Sequence, residues 1–185
     1  MKISTIINGP LEENCYILSK DNNALIIDPG SEAKRIIESL KGLDVKGILV
    51  THHHDDHIGA LKELEEYYNL KENVTSYFDY EVIETKGHTS DSKCYYFKDI
   101  NSIFVGDFIF KDGIGRTDLG GNDKEMKESL INFINRFNKD VVLYPGHGNS
   151  TTLGEEIDNI KYMMEVYLWK SLKQHLIQSF LLKTY

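Results

Sequence analysis

Residues 51–60 read THHHDDHIGA, from Thr51 to Ala60. Four of the chain's seven histidines and two aspartates fall between His52 and His57. Imidazoles lose their protons near neutrality and carboxylates well below it, so this stretch crowds groups able to accept protons or cations. Just upstream lies VKGILV, residues 45–50, an apolar run of strand length rich in β-branched residues. Just downstream, IGALKELEEYYNL has helical spacing, with Leu61, Leu64 and Tyr68 on one side. The ligand-like residues therefore sit where a strand gives way to a helix. His52 and His54, two apart in an extended segment, point to the same face. Asp56 and His57 follow as the chain turns toward the helix at Ile58. The change of direction lets two pairs of side chains serve two adjacent positions.

The rest of the chain narrows the class. It has 185 residues, 41% of them apolar, and a formal net charge of −8. That length supports one domain with a sizeable core. The negative balance, with no run of Lys or Arg, argues against nucleic acid or an anionic membrane as a partner. Two cysteines, Cys15 and Cys94, are too few for a disulfide framework or a thiolate metal site. No segment reaches membrane-spanning length, and MKISTIINGP lacks the apolar region of a secretion signal, so a cytoplasmic location is expected.

NCYILSK and NALIIDPG flank Asp21-Asn22 and read as a hairpin. SEAKRIIESLKG reads as a helix capped by Ser31 and stopped by Gly42. Short strands are expected at 74–78, 80–85, 93–98 and 102–105. NDKEMKESLINFINRF reads as a helix, with Asn122 and Glu125 placed as a capping box. VVLYPGHG is a strand that ends on His147. Gly113, Gly115, Gly120 and Gly121 read as one flexible loop. Thr152 and Glu155 form a second capping-box pattern. It opens a stretch with apolar residues at 157, 160, 164, 168, 172, 176 and 180, which is helical spacing. Mixed strands and helices with early hairpins predict an α/β sandwich. His52, His54, Asp56, His57, Asp107 and His147 all follow predicted strands, and His88 follows another after a short turn. Loops at strand ends are where a rigid sheet can aim side chains at one point.

A single histidine is more often a surface or hydrogen-bonded residue than a ligand, and a histidine run alone can be an adventitious metal tract. Here GHTSDS, VGDFIF and PGHG recur downstream, and chance no longer explains the set. Imidazole and carboxylate without thiolate suit Zn²⁺, Fe or Mn²⁺ in an open site better than a closed structural one.

His-x-His-x-Asp-His at 52–57, Gly-His-Thr at 87–89, Gly-Asp at 106–107 and Pro-Gly-His-Gly at 145–148 together resemble the metallo-β-lactamase-fold hydrolases. Within them the chain is most similar to the small glyoxalase II-like proteins. IDPGSE at 27–32 and GRTDLGG at 115–121 fit the same group. The resemblance covers about residues 1–156, with 157–185 left as a C-terminal helical tail. It implies a four-layer αββα sandwich and a two-metal site on one edge. By matching positions, His52, His54 and His88 would hold one metal. Asp56, His57 and His147 would hold the second, and Asp107 would bridge both. Asp56 and Asp107 would be the carboxylates closest to the chemistry. Aspartate at the bridging position favours the glyoxalase II side over the class B β-lactamases, which typically carry a cysteine near there. Asp28 would hydrogen-bond the ligand loop, while His53 and Asp55 would be supporting or surface residues.

Two metals roughly 3.5 Å apart can share a hydroxide and polarise a carbonyl. Metal-bound water has a pKa of about 7, so a nucleophile exists at neutral pH. A thiolate, whose parent thiol has a pKa of about 8.5, can leave without a dedicated general acid. Thioester hydrolysis is therefore the expected reaction, at two metals expected to be zinc, with iron or manganese as alternatives and a small-molecule thioester as substrate. Two other readings stay open. An iron-dependent oxygenase resembling persulfide dioxygenases would use His52, His88 and Asp107 alone. A non-catalytic metal-binding module would keep the scaffold without turnover. Arg116 is read as a structural salt bridge in preference to a carboxylate receptor. The apolar stripe of the tail leads to an expected homodimer through the C-terminal helix.

Overall fold

A computed structural model describes residues 1–166. One mixed sheet has the order β1-β2-β3-β4, from Lys2–Asn8 (β1), Glu13–Lys20 (β2), Asn23–Ile27 (β3) and Asp44–Leu49 (β4). The second has the order β11-β10-β7-β6-β5, from Glu81–Glu84 (β5), Lys93–Phe97 (β6), Ser102–Gly106 (β7), Val142–Pro145 (β10) and Thr151–Thr152 (β11). Ile109–Phe110 (β8) and Gly113–Ile114 (β9) pair as a small hairpin. The expected hairpin at Asp21-Asn22 joins β2 to β3, and both turn residues take positive φ, 49° and 62°.

Strand alternation sorts the core into three layers of contact. Cys15, Ile17, Ala24, Ile26 and Ile48 join one buried cluster with Ile36 and Leu40 and with Leu61 and Leu64. Their neighbours Tyr16, Leu18, Leu25, Ile27 and Leu49 face the other way, into a cluster with Tyr95, Phe97 and Phe104 of the second sheet. On the far side, Cys94, Ile103, Val105 and Leu143 pack with Met126, Leu130 and Phe133. Those last three lie on Asp123–Arg136 (α4), while Ile36 lies on Ala33–Ser39 (α1) and Leu61 on Leu61–Tyr68 (α3). Helix, sheet, sheet, helix is the expected four-layer αββα order. Both faces of each central strand are covered, which is why NALII and GILV read as unbroken apolar runs. Cys15 and Cys94 are buried and free. No helix among the described residues is long and apolar enough to cross a membrane.

Four local expectations fail for physical reasons. Ser31 does not cap α1, because Glu32 takes the cap position in the left-handed region, φ 55°, and no side chain bonds the first turn. The helix expected from Ile58 is interrupted, giving Asp55–Ile58 (α2) and then α3. The Pro29-Gly30 turn docks into the break. Ala60 N–H donates to Pro29 O at 3.0 Å, and a Cβ on Gly59 would lie 2.3 Å from Gly30 O. Residues 74–78 form no strand. Asn73 pins the chain to β4 instead, its N–H donating to Ile48 O at 2.7 Å and its side-chain oxygen accepting from Val50 N–H at 2.9 Å. The glycine-rich loop is partly ordered as β8 and β9, and Gly115 is there for contact, since a Cβ would meet Asp107 O at 1.8 Å.

Both caps form. Asn122 Oδ1 accepts from Lys124 N–H and Glu125 N–H, while its own N–H goes to Gly87 O and not to Glu125. Thr152 and Glu155 make the reciprocal pair, at 3.3 and 3.2 Å, and start a helix over 153–166 (α5). Leu153 and Ile160 of α5 are buried in the α4 cluster. The expected boundary between residues 156 and 157 falls inside α5. The remainder of the expected tail helix, 167–185, lies outside the described residues.

Candidate metal centre

The centre begins with Asp28, directly after β3. Its Oδ1 accepts from Thr51 N–H at 2.7 Å and its Oδ2 from the Thr51 hydroxyl at 2.7 Å. One buried carboxylate thus fixes the root of the histidine segment, as expected of the Asp-Pro-Gly turn. From Thr51 the chain runs extended through His54, φ −71° and ψ 146°, and then winds into α2. His52 and His54 come from the extended part, Asp56 and His57 from the helical turn. Asp107 follows β7 and His147 follows β10, which are parallel neighbours. His88 arrives from the segment after β5.

All seven expected residues meet. Candidate ligand atoms lie within 4.8 Å of one another in each of three groups: His52, His54 and His88; His52, His57 and Asp107; Asp56, His57 and His147. Asp107 lies between the outer two. Its Oδ1 is 3.3 Å from His57 Nε2 and 3.7 Å from His147 Nε2, and its Oδ2 is 3.6 Å from His88 Nε2.

The hydrogen bonds around the rings decide which nitrogens face inward. His88 Nδ1 lies 2.7 Å from Arg116 O and His147 Nδ1 lies 2.9 Å from Leu11 O. A carbonyl only accepts, so both Nδ1 atoms carry a proton, and each ring in its neutral tautomer presents a bare Nε2. The Thr51 hydroxyl gives its proton to Asp28, so it accepts from His52 Nδ1 at 3.1 Å and leaves His52 Nε2 bare as well. The Nε2 atoms of His52 and His88 both approach His54 Nδ1, at 3.1 and 2.9 Å. One N–H at His54 cannot satisfy two lone pairs, whereas a cation satisfies all three nitrogens together.

At the other end, Asp28, Asp56 and Asp107 converge on the fully buried His57. Burial works against the His57 cation, yet Asp107 and Asp28 hold its pKa up to about 11. Burial likewise works against the Asp107 carboxylate, and His57 outweighs it, leaving that pKa at about 2. Burial, then the nearby His57 charge, lowers His52 to about 2. His57 Nε2 and Asp107 Oδ1 face each other but find no hydrogen-bond partner among the described residues. Excess negative charge and orphaned inward atoms are what bound divalent cations would balance, so these residues fit a metal pair.

His53 and Asp55 stand apart from the cluster and are exposed. His53 bridges Asp91 at 2.5 Å and Glu72 at 3.1 Å. Arg116 makes the expected salt bridge, its guanidinium donating twice to Asp118 at 2.6 Å. Reading the sequence alone misses Thr51, the Arg116 and Leu11 carbonyls, and Gly146. Backbone acceptors leave no trace in residue type. Gly146 does lie in the PGHG motif, and a Cβ there would sit 2.3 Å from Asp107 Oδ1 and 2.5 Å from His57 Cε1.

Asp28→Ala strips the acceptor from Thr51 and from His57 Nδ1 while leaving every inward ligand in place. Metal affinity is expected to fall about 10–100-fold, read by competition with a chromogenic chelator. Unchanged affinity would mean that Asp28 does not set ring orientation.

The profile of the Metallo-beta-lactamase superfamily matches residues 8–74 and 70–147, and the chain belongs to that superfamily. Among its relatives, the probable metallo-hydrolase YqgX of Bacillus subtilis is 31% identical, over 84% of this chain and 94% of that one. The hydroxyacylglutathione hydrolase GloC of Haemophilus influenzae is 28% identical, over 84% and 95%. Of solved structures, the BLEG-1 B3 metallo-beta-lactamase superposes with a TM-score of 0.81 at 29% identity, over 85% of this chain and 97% of that one. TTHA1623 in a di-iron-bound form gives 0.75 at 26%, over 83% and 96%.

Proposed function

We propose that this chain hydrolyses thioesters at a centre of two metal ions, zinc by preference and iron or manganese as alternatives. The observation that carries the reading is Asp107, whose two oxygens face the two histidine groups. His52, His54 and His88 would hold one ion, Asp56, His57 and His147 the other, and Asp107 both. A reading with His52, His88 and Asp107 alone leaves Asp56, His57 and His147 converging for no purpose. Bound there, the metal pair supplies a water activated near neutral pH and positive charge beside a carbonyl.

The chain's own residues do the rest. Asp56 and Asp107 would hold carboxylate oxygens at the centre, where they could accept protons from a water bound there. Thr51, Asp28 and the carbonyls of Leu11 and Arg116 keep the imidazoles from turning. Phe110, its ring 6.3 Å from that of His147, gives the rim an apolar wall. The named activity of the Haemophilus relative supports a thioester, and the likeness to a B3 enzyme makes a lactam the competing substrate.

The test is a panel of acyl thioesters, beginning with S-lactoylglutathione, and a β-lactam, all offered to metal-replete protein. Thioester turnover is expected, and His54→Ala and His57→Ala should each remove most of it. Lactam turnover without thioester turnover, or no turnover with both positions filled, would overturn the proposal.

We also propose that the chain forms a homodimer through its C-terminal segment. Light scattering should give a dimer for the full chain and a monomer for one ending at residue 166, which keeps buried Ile160 in place. A monomeric full chain at high concentration would end the dimer reading.

A further inference from the structure

A cleft of about 310 Å³ lies beside the second histidine group. The turn between β1 and β2 forms one wall, with Pro10 and Leu11. Gly30 and Ser31, and Asp55 and Asp56 at the start of α2, complete the lining. Two lining residues of the cleft touch the centre. Asp56, on its wall, lies 3.2 Å from His147 Nε2. Leu11, also in the lining, gives His147 its carbonyl partner. A substrate whose carbonyl reaches the centre therefore has one end close to this cleft.

The lining selects what that end can be. None of the eight lining residues is basic, and two are acidic. The Leu11 side of the cleft is apolar and open to solvent, with Leu11 at 63% exposure. Two arginines lie in the neighbourhood and both are engaged: Arg35 donates to Ile7 O and pairs with Glu32, and Arg116 is bidentate to Asp118. The formal net charge of −8 adds a field of the same sign. With Asp56 committed to the metal pair, an anionic group entering the cleft meets the exposed Asp55 carboxylate and no basic lining residue, and loses hydration without replacement. An uncharged, partly apolar group covers Pro10 and Leu11 and leaves Asp55 in water.

We propose, resting on the thioester reading above, that this cleft receives the thiol half of the substrate and selects an uncharged one. Thioesters of a neutral amide-bearing thiol are then better substrates than thioesters of glutathione, which carries two carboxylates. The reaction is otherwise the same: water adds at the acyl carbon, the C–S bond breaks, and a carboxylic acid and a thiol are released.

The experiment compares kcat/KM for the lactoyl thioesters of N-acetylcysteamine and of glutathione, on zinc-replete full chain. The wild-type ratio should favour N-acetylcysteamine by at least about tenfold. Asp55→Lys, at an exposed position outside the histidine groups, should shift that ratio toward glutathione by a further tenfold or so, mainly through KM. Leu11→Glu should lower kcat/KM for both thioesters and most for glutathione. A wild-type preference for glutathione, or a ratio untouched by Asp55→Lys while both thioesters turn over, overturns the inference and leaves the thioester reading standing. Hydrolysis of neither thioester, with both metal positions filled, removes that reading and this inference together.

Discussion

Asp107→Ala is expected to leave the protein with one metal equivalent or none where the parent holds two, and to lower thioester hydrolysis by at least about a thousandfold. One carboxylate oxygen lies near His57 and His147, and the other near His88, so a single truncation withdraws an anionic ligand from both groups. It also removes a carboxylate 3.3 Å from His57 Nε2, leaving Asp28 and Asp56 beside that ring. Loss of one ligand from one ion would leave the other site intact. Loss of a shared ligand disturbs both, and bound metal measured on the purified variant separates the two cases. If Asp107→Ala keeps both equivalents at unchanged affinity, the bridging assignment is wrong.

Gly146→Ala should do comparable damage without touching any ligand. The added methyl would come within 2.3 Å of Asp107 Oδ1 and 2.5 Å of His57 Cε1, far inside contact distance. The backbone has little freedom to retreat. Gly146 N–H donates to Gly106 O at 2.9 Å, and Gly146 O accepts from Asn14 N–H at 2.7 Å. The clash must therefore be relieved by displacing Asp107 or His57, and catalytic groups displaced by about 1 Å lose on the order of a hundredfold in rate. Hydrolysis is expected to fall by that factor or more, with the far-ultraviolet circular dichroism unchanged. Parent activity in a folded Gly146→Ala protein would show that the PGHG turn does not hold the centre's shape.

Gly146 also illustrates what was legible in the chain. The clustering of the candidate ligands was readable because strand-end motifs are local: His52, His54, Asp56 and His57 share one strand-to-helix turn, and Asp107 and His147 each follow a strand. The layer order was readable because each central strand alternates between two buried faces. The supports were not. Thr51 works through a contact to Asp28, 23 positions away in sequence, and His88 and His147 are oriented by carbonyls that any residue could supply. The local errors share this origin. IGALKELEEYYNL has helical spacing throughout, but the Pro29-Gly30 turn from another part of the chain docks at Gly59-Ala60 and divides it. Residues 74–78 look like a strand by composition, yet Asn73 anchors the chain to β4, and Phe78 is buried in the inter-sheet cluster without a ladder partner. Ser31 has the right chemistry for a cap, and the left-handed Glu32 moves the helix start past it.

The central claim is a centre of two metal ions sharing Asp107, and a titration of metal-free protein tests it most directly. Zinc is added in fractions of an equivalent while bound metal and thioester hydrolysis are followed together. Saturation is expected at two equivalents per chain, with most of the hydrolysis appearing as the second is filled. Saturation at a single equivalent with full hydrolysis would contradict it.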